Sequence, residues 1–260
     1  MIFIITALSA EARPLIQYFK LQPTHNLPFK IYENSDVKLI ISNVGYENAL
    51  IATTALLSHF GSKEDDILLN IGIAAAPTNY AIEALILLHK ISHSSTHYYP
   101  DILFEHNFLE ANGTTVLEPT SIYHDTLVDM EAHAIYKAGS RFLDAHQMAF
   151  IKIISDHFEP QDVNKEKTIM MIQNHLQNIE VIANAMKNIM VQNIHFTRGE
   201  VIMIENINTL FTKSQQSALS DAINFYKLKH QQELTLPFKL LNTKLEKKVY
   251  LEQLIKQLTS

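Results

Sequence analysis

Three acidic residues stand where a strand-like run ends or a helix-like run begins. Glu11 follows the apolar run Ile2–Leu8, Asp156 comes just after Phe150–Ile154 and Ser155, and Glu131 stands beside Met130 at the start of a helical pattern. A carboxylate held near a dry pocket has a raised pKa and becomes a usable general base near neutral pH. It can also accept from two neighbouring hydroxyls at once. Each acid has a plainer explanation as well. Glu11 suits the first turn of a helix, where the dipole favours negative charge. Ser155 or Asp156 suits a helix N-cap, and Met130–Glu131 reads equally as a core methionine beside a surface acid. His89, His93 and His97 recur every four residues, which on a helix would align metal ligands. Their surroundings, IEALILLHKISH, read as a strand running into a loop, where that spacing does not converge, so no metal site is expected. The absence of cysteine excludes disulfides, thiolate catalysis, Fe–S clusters and Cys-type zinc sites.

The elements that must position these residues alternate along the chain. Ile2–Leu8 is a continuous apolar run, as expected of a strand buried on both faces. Val37–Asn43, Asp66–Ile71, Ala84–His89 and Ala149–Ile154 read as further strands. Helices are expected over Glu11–Phe19, Glu47–Phe60, Val128–Phe142 and Asn164–Met190. In the last of these Ile172, Leu176, Ile179, Ala183, Met186 and Met190 recur at helical spacing. The alternation predicts a three-layer α/β domain over residues 1–192, a central mixed sheet flanked by helices. Ligands of such folds sit at the carboxyl ends of the strands.

Residues 193–260 read as a small helical extension. His195–Arg198–Gly199 reads as a break, and Ser214–His230 and Thr243–Leu258 as two polar helices with Leu234–Pro237 between them. Ala218, Ala222, Phe225 and Tyr226 form one expected stripe; Leu245, Val249, Leu251, Leu254 and Leu258 form the other. Each is too narrow for an independent core. The two helices are therefore expected to pack on each other and on the α/β domain or a second subunit.

Four segments together resemble the nucleoside phosphorylase superfamily, and within it the methylthioadenosine/S-adenosylhomocysteine nucleosidases. They are IITALSAEARPL (4–15), SNVGYENALIATTALLSHF (42–60), LLNIGIAAAP (68–77), and VDMEAHAIYKAG (128–139) taken with IKIISDHFE (151–159). Their order and approximate spacing match over residues 1–190. The resemblance implies that Glu11 activates the attacking water and that Asp156, oriented by Ser155, protonates the purine N7. It also implies that Met130 packs on the ribose while Glu131 accepts from its 2′- and 3′-hydroxyls. The implied reaction is hydrolysis of the N-ribosidic bond of a purine nucleoside or 5′-thionucleoside, without metal or organic cofactor, in a homodimer. Ile73 stands where the family usually has a serine that helps to hold the nucleophile, and TTVLEPTSIYHDTL (114–127) lacks the family's base-recognition pattern.

Two other readings stay open: phosphorolysis of the same substrates, and a nucleoside-binding protein that kept the fold without turnover. Phosphate is usually held by several arginines. This chain has only Arg13, Arg141 and Arg198, with Asn70 where phosphorylases often place one, so hydrolysis is the more natural reading and Arg13 the one phosphate candidate. The net charge of −6 disfavours nucleic acid as a partner. The amino terminus lacks a basic segment, and the longest apolar stretch, Ala81–His89, is far too short to span a bilayer. A cytoplasmic protein with no membrane partner is expected.

Overall fold

The computed structural model describes residues 1–24, 28–190, 196–230, 234–237, 239, 241 and 243–259. The chain divides into two compact units, Met1–Val191 and Gln192–Ser260. In the first, the strands are β1 (Ile2–Thr6), β2 (Gln22–Thr24), β3 (Lys30–Glu33), β4 (Val37–Ile41), β5 (Ile67–Ala75), β6 (Leu85–His93), β7 (Thr96–Tyr98), β8 (Leu109–Thr115), β9 (Leu127–Asp129) and β10 (Met148–Asp156). Its helices are α1 (Ser9–Tyr18), α2 (Tyr46–Phe60), α3 (Ala132–Gly139), α4 (Lys165–Asn174) and α5 (Leu176–Met190).

The strands form one mixed sheet in the order β10-β6-β8-β9-β5-β1-β4-β3-β2, with β7 on β6. A further parallel pairing of β5 with β10 closes five of the strands on themselves. Alternation along each strand sends side chains to two layers. Phe3, Ile5 and Leu68 pack with Ala49, Ala52 and Leu56 of α2 and Ala134 and Ile135 of α3. Ile4, Leu69 and Ile151 pack with Leu15 of α1, Ile172 of α4 and Ile179 and Ala183 of α5. Strand β1 is apolar from Ile2 to Ile5, without alternation, because both faces are covered.

Several elements differ from the sequence expectation. The helix expected over Val128–Phe142 starts only at Ala132, because Leu127–Asp129 pairs as β9, with Val128 opposite Ala75 and Asp129 opposite Thr115. A short apolar run fits strand or helix, and here the vacant sheet position decides. The helix expected over Asn164–Met190 is two helices broken at His175, whose ring Nε2 lies 2.7 Å from the Glu83 carbonyl oxygen. No glycine or proline marks that break. Strand β8, LEANGTT, has no apolar alternation to show it; its Gly113 leaves room for Leu88, whose Cδ1 would lie 2.7 Å from an added Cβ.

Among the described residues the second unit has three helices, α6 (Arg198–Asn208), α7 (Lys213–His230) and α8 (Lys244–Thr259), not two. Arg198–Gly199, expected as a break, begins α6; His195 lies outside the described residues. Thr197 caps the helix, its Oγ1 accepting from the Glu200 N–H while Glu200 Oε2 accepts from the Thr197 N–H. Helices α7 and α8 pack on each other around Leu219, Ala222, Ile223, Tyr250, Leu251, Leu254 and Leu258. The expected stripe on α7 is displaced: Leu219 and Ile223 are buried, whereas Ala218 is exposed and Phe225 is 46% exposed. On α8, Leu245 and Val249 are exposed rather than part of the stripe. The larger aliphatic pair one position along takes the core.

Candidate active site

The ends of β1, β5 and β10 and the approach to α3 enclose a cavity of about 250 Å³. Glu11, Met130, Glu131, Ser155 and Asp156 all line it, although they come from three distant parts of the chain. Ile73, Ala74 and Ala75 of β5 form another part of the wall. A more open cavity of about 630 Å³ shares Ala7, Leu8, Val44 and Val163 with it.

Glu11 is 2% exposed at the third position of α1. Its Oε2 accepts from the Ala7 and Leu8 N–H groups at 2.9 Å each, and its Oε1 from the Ile73 N–H at 3.0 Å. The carboxylate lies over Gly72, where an added Cβ would stand 3.0 Å from Oε1. Burial raises the Glu11 pKa; the three N–H donors and Lys152 act against that rise. Position 73, where the resemblance expects a hydroxyl, contributes its backbone N–H to the acid instead.

Glu131 directly precedes α3, and its Oε1 accepts from the Gly45 N–H at 2.7 Å. Gly45 has φ +108°, a conformation that a side chain would strain, so this donor depends on glycine. Burial pushes the Glu131 pKa up to about 7, with Asp129 and Glu11 adding to the rise and Lys152 and Gly45 opposing it. Asp156 ends β10 beyond a bulge, with Oδ2 2.7 Å from Ser155 Oγ and Oδ1 accepting from the Glu159 N–H at 2.8 Å. It therefore caps the turn after β10 and also faces the cavity.

Two residues that the sequence reading passed over sit at the heart of this acid group. Lys152, 1% exposed, places its Nζ 2.6 Å from Asp129 Oδ2. Asp129 also accepts from Thr115 Oγ1 at 2.6 Å and from the Ala132 N–H at 2.8 Å. A lysine inside the apolar run Phe150–Ile154 was the available signal, since lysine is almost never fully buried without a partner. The segment 114–127, which lacks a recognisable base loop, nevertheless contributes Val116, Pro119 and Thr120 to the cavity wall. Its Tyr123 packs edge-on against Phe158 at 5.5 Å.

The other candidates lie apart. Arg13 is exposed and is not among the lining residues, and Asn70 is buried with its Nδ2 donating to the Ile5 carbonyl. His89, His93 and His97 make separate contacts, with Glu110, the Thr115 carbonyl and Ser92 Oγ respectively. Among the described residues no group of three or more His, Asp or Glu could hold a metal ion.

The closed sheet and its helical layers make up a fold shared with solved structures of 5′-methylthioadenosine/S-adenosylhomocysteine nucleosidases. The Streptococcus pneumoniae nucleosidase bound to a transition-state inhibitor superposes with a TM-score of 0.60 at 18% identity, covering 71% of this chain and 98% of that one. A mutant of the Helicobacter pylori nucleosidase with 5′-methylthioadenosine in its active site gives a TM-score of 0.61 at 12% identity, covering 70% and 97%. The Colwellia psychrerythraea nucleosidase with adenine gives 0.57 at 16%, covering 72% and 94%. No family model and no curated protein matches the sequence. At these identities the likeness is one of fold.

Proposed function

We propose that this protein hydrolyses the N-ribosidic bond of a purine nucleoside or 5′-thionucleoside and releases the free base. The observation that carries this reading is the convergence of Glu11, Glu131 and Asp156 on one cavity at the strand ends. The raised pKa of buried Glu11 suits a general base. In the proposed reaction Glu11 takes a proton from water as its oxygen bonds to C1′. The C1′–N9 bond breaks with its electron pair leaving on the purine, and N7 takes a proton relayed through Asp156, which Ser155 orients. Leaving-group protonation of this kind is what an oxocarbenium-like transition state requires. Glu131 holds the ribose hydroxyls and Met130 packs on the sugar. The adjoining larger cavity offers room for a substituent at C5′.

The chain has three arginines, and none of them lines the cavity, which supports water over phosphate as nucleophile. A homodimer in the cytoplasm belongs to the same proposal. No described helix is long and apolar enough to cross a membrane. The test is release of free base from methylthioadenosine, adenosine and inosine, each without added phosphate. Glu11→Gln and Asp156→Asn should each slow release by about 10²-fold or more while the protein stays folded. Phosphate-dependent release would favour phosphorolysis, and binding without release from any nucleoside would favour a non-catalytic binding protein.

A further inference from the structure

We infer that Lys152 is a positioning residue for this site: an ammonium fixed by Asp129 beneath the cavity, whose charge governs whether Glu11 and Glu131 carry theirs. The inference concerns the same acids as the hydrolytic reading and assigns a role that reading leaves empty.

The geometry comes from the sheet. Lys152 occupies the middle of β10, with Gly72 of β5 opposite on one side and Ile86 of β6 on the other. Glu11 covers Gly72, so the register brings the lysine's strand position next to the one the general base occupies. Asp129 reaches Lys152 from β9 and is itself held by Thr115 and the first turn of α3. It is therefore the acid that bonds the ammonium directly and anchors it. Among the described residues, Glu11 and Glu131 have only backbone donors.

Charge balance makes the lysine consequential. Buried charges neutralise unless they are paired. Glu11, Asp129 and Glu131 are 2%, 7% and 8% exposed, and Lys152 is the cation that acts on both Glu11 and Glu131. With all three acids ionised the group carries −2; without Lys152 it would carry −3, and without the Asp129 charge −1. Of the charged groups facing Glu131, Asp129 from its own segment and Glu11 from α1 hold its proton on, while Lys152 from β10 draws it off. Asp156, also on β10, is occupied with Ser155 and the Glu159 N–H. The two members of one ion pair therefore act on Glu131 in opposite senses.

The experiment is a carboxyl ¹³C NMR titration of the full chain, with the Glu11 and Glu131 signals assigned through Glu11→Gln and Glu131→Gln. It is run beside the pH profile of base release. Lys152→Met should raise both titrations by about one pH unit or more, Lys152→Arg should restore them, and Asp129→Asn should lower that of Glu131. The acidic limb of kcat/KM should move in the same directions. Shifts of one sign in Lys152→Met and Asp129→Asn, or no shift in a folded Lys152→Met protein, would overturn the inference. If Lys152→Met does not fold, Asp129→Asn decides: a Glu131 titration that stays put or rises overturns it. Opposite shifts in a protein that cleaves no nucleoside would sink the hydrolytic reading and leave the role of Lys152 standing.

Discussion

Glu131 in the α/β unit and Glu200 in the helical unit are both buried acids beside a lysine, and their protonation goes opposite ways. Burial acts to raise the pKa of Glu200 as well, but bonds from Lys227 Nζ, the Leu234 N–H and the Thr197 N–H bring it down to about 2. Glu131 has one N–H donor, faces two other acids and stands near 7. The nearby lysine of its site bonds to Asp129 instead. A carboxylate whose acceptors are filled holds a fold together. One left short of donors keeps acceptor capacity for a ligand, and that costs stability.

The sharpest way to break this contrast is Glu200→Gln, which removes the charge beside Lys227 and leaves the shape intact. Loss of one partner from a buried pair should cost about 3–5 kcal/mol, read as faster hydrogen exchange at the amides of α6–α8. The pH dependence has a definite sign. The Glu200 pKa is lower folded than unfolded, so its contribution is complete above about 4.5 and is lost as pH falls toward about 2.

Glu131→Gln should act the other way. The folded pKa is raised, so wild type loses stability as pH rises from about 4.5 through about 7, and the amide variant does not. Above pH 7 the variant should be more stable by about 3 kcal/mol, with the gain vanishing below pH 4.5, as chemical denaturation at several pH values would show. Its loss of nucleoside binding should accompany that gain. An equal stability at every pH would remove the contrast with Glu200.

Smaller effects should separate the two faces of the helical unit. Leu254→Ala should cost about 2 kcal/mol or more, because its side chain is buried among Tyr250, Leu251 and Leu258. Phe225→Ala should cost less, about 1 kcal/mol or below, since Phe225 is 46% exposed. A large loss at Phe225 would mean that this face is covered in solution by a partner or a second copy.

Much of the α/β unit was legible in sequence. Runs such as Ile2–Ile5 and Ile67–Leu69 are apolar without alternation because the sheet is covered on both faces, a local signature of that layering. Glu11, Glu131 and Asp156 were legible as acids at element boundaries within a familiar order of motifs. The sequence by itself could thus pick out acids that the fold brings to one cavity, since element boundaries and motif order are local properties. It could not say how those acids are protonated, that β10 closes back on β5, that Leu127–Asp129 joins the sheet, or that Lys152 reaches Asp129. Those outcomes join residues up to about 140 positions apart, and pairing, burial and Coulomb interaction depend on distance in space, which only the folded chain establishes.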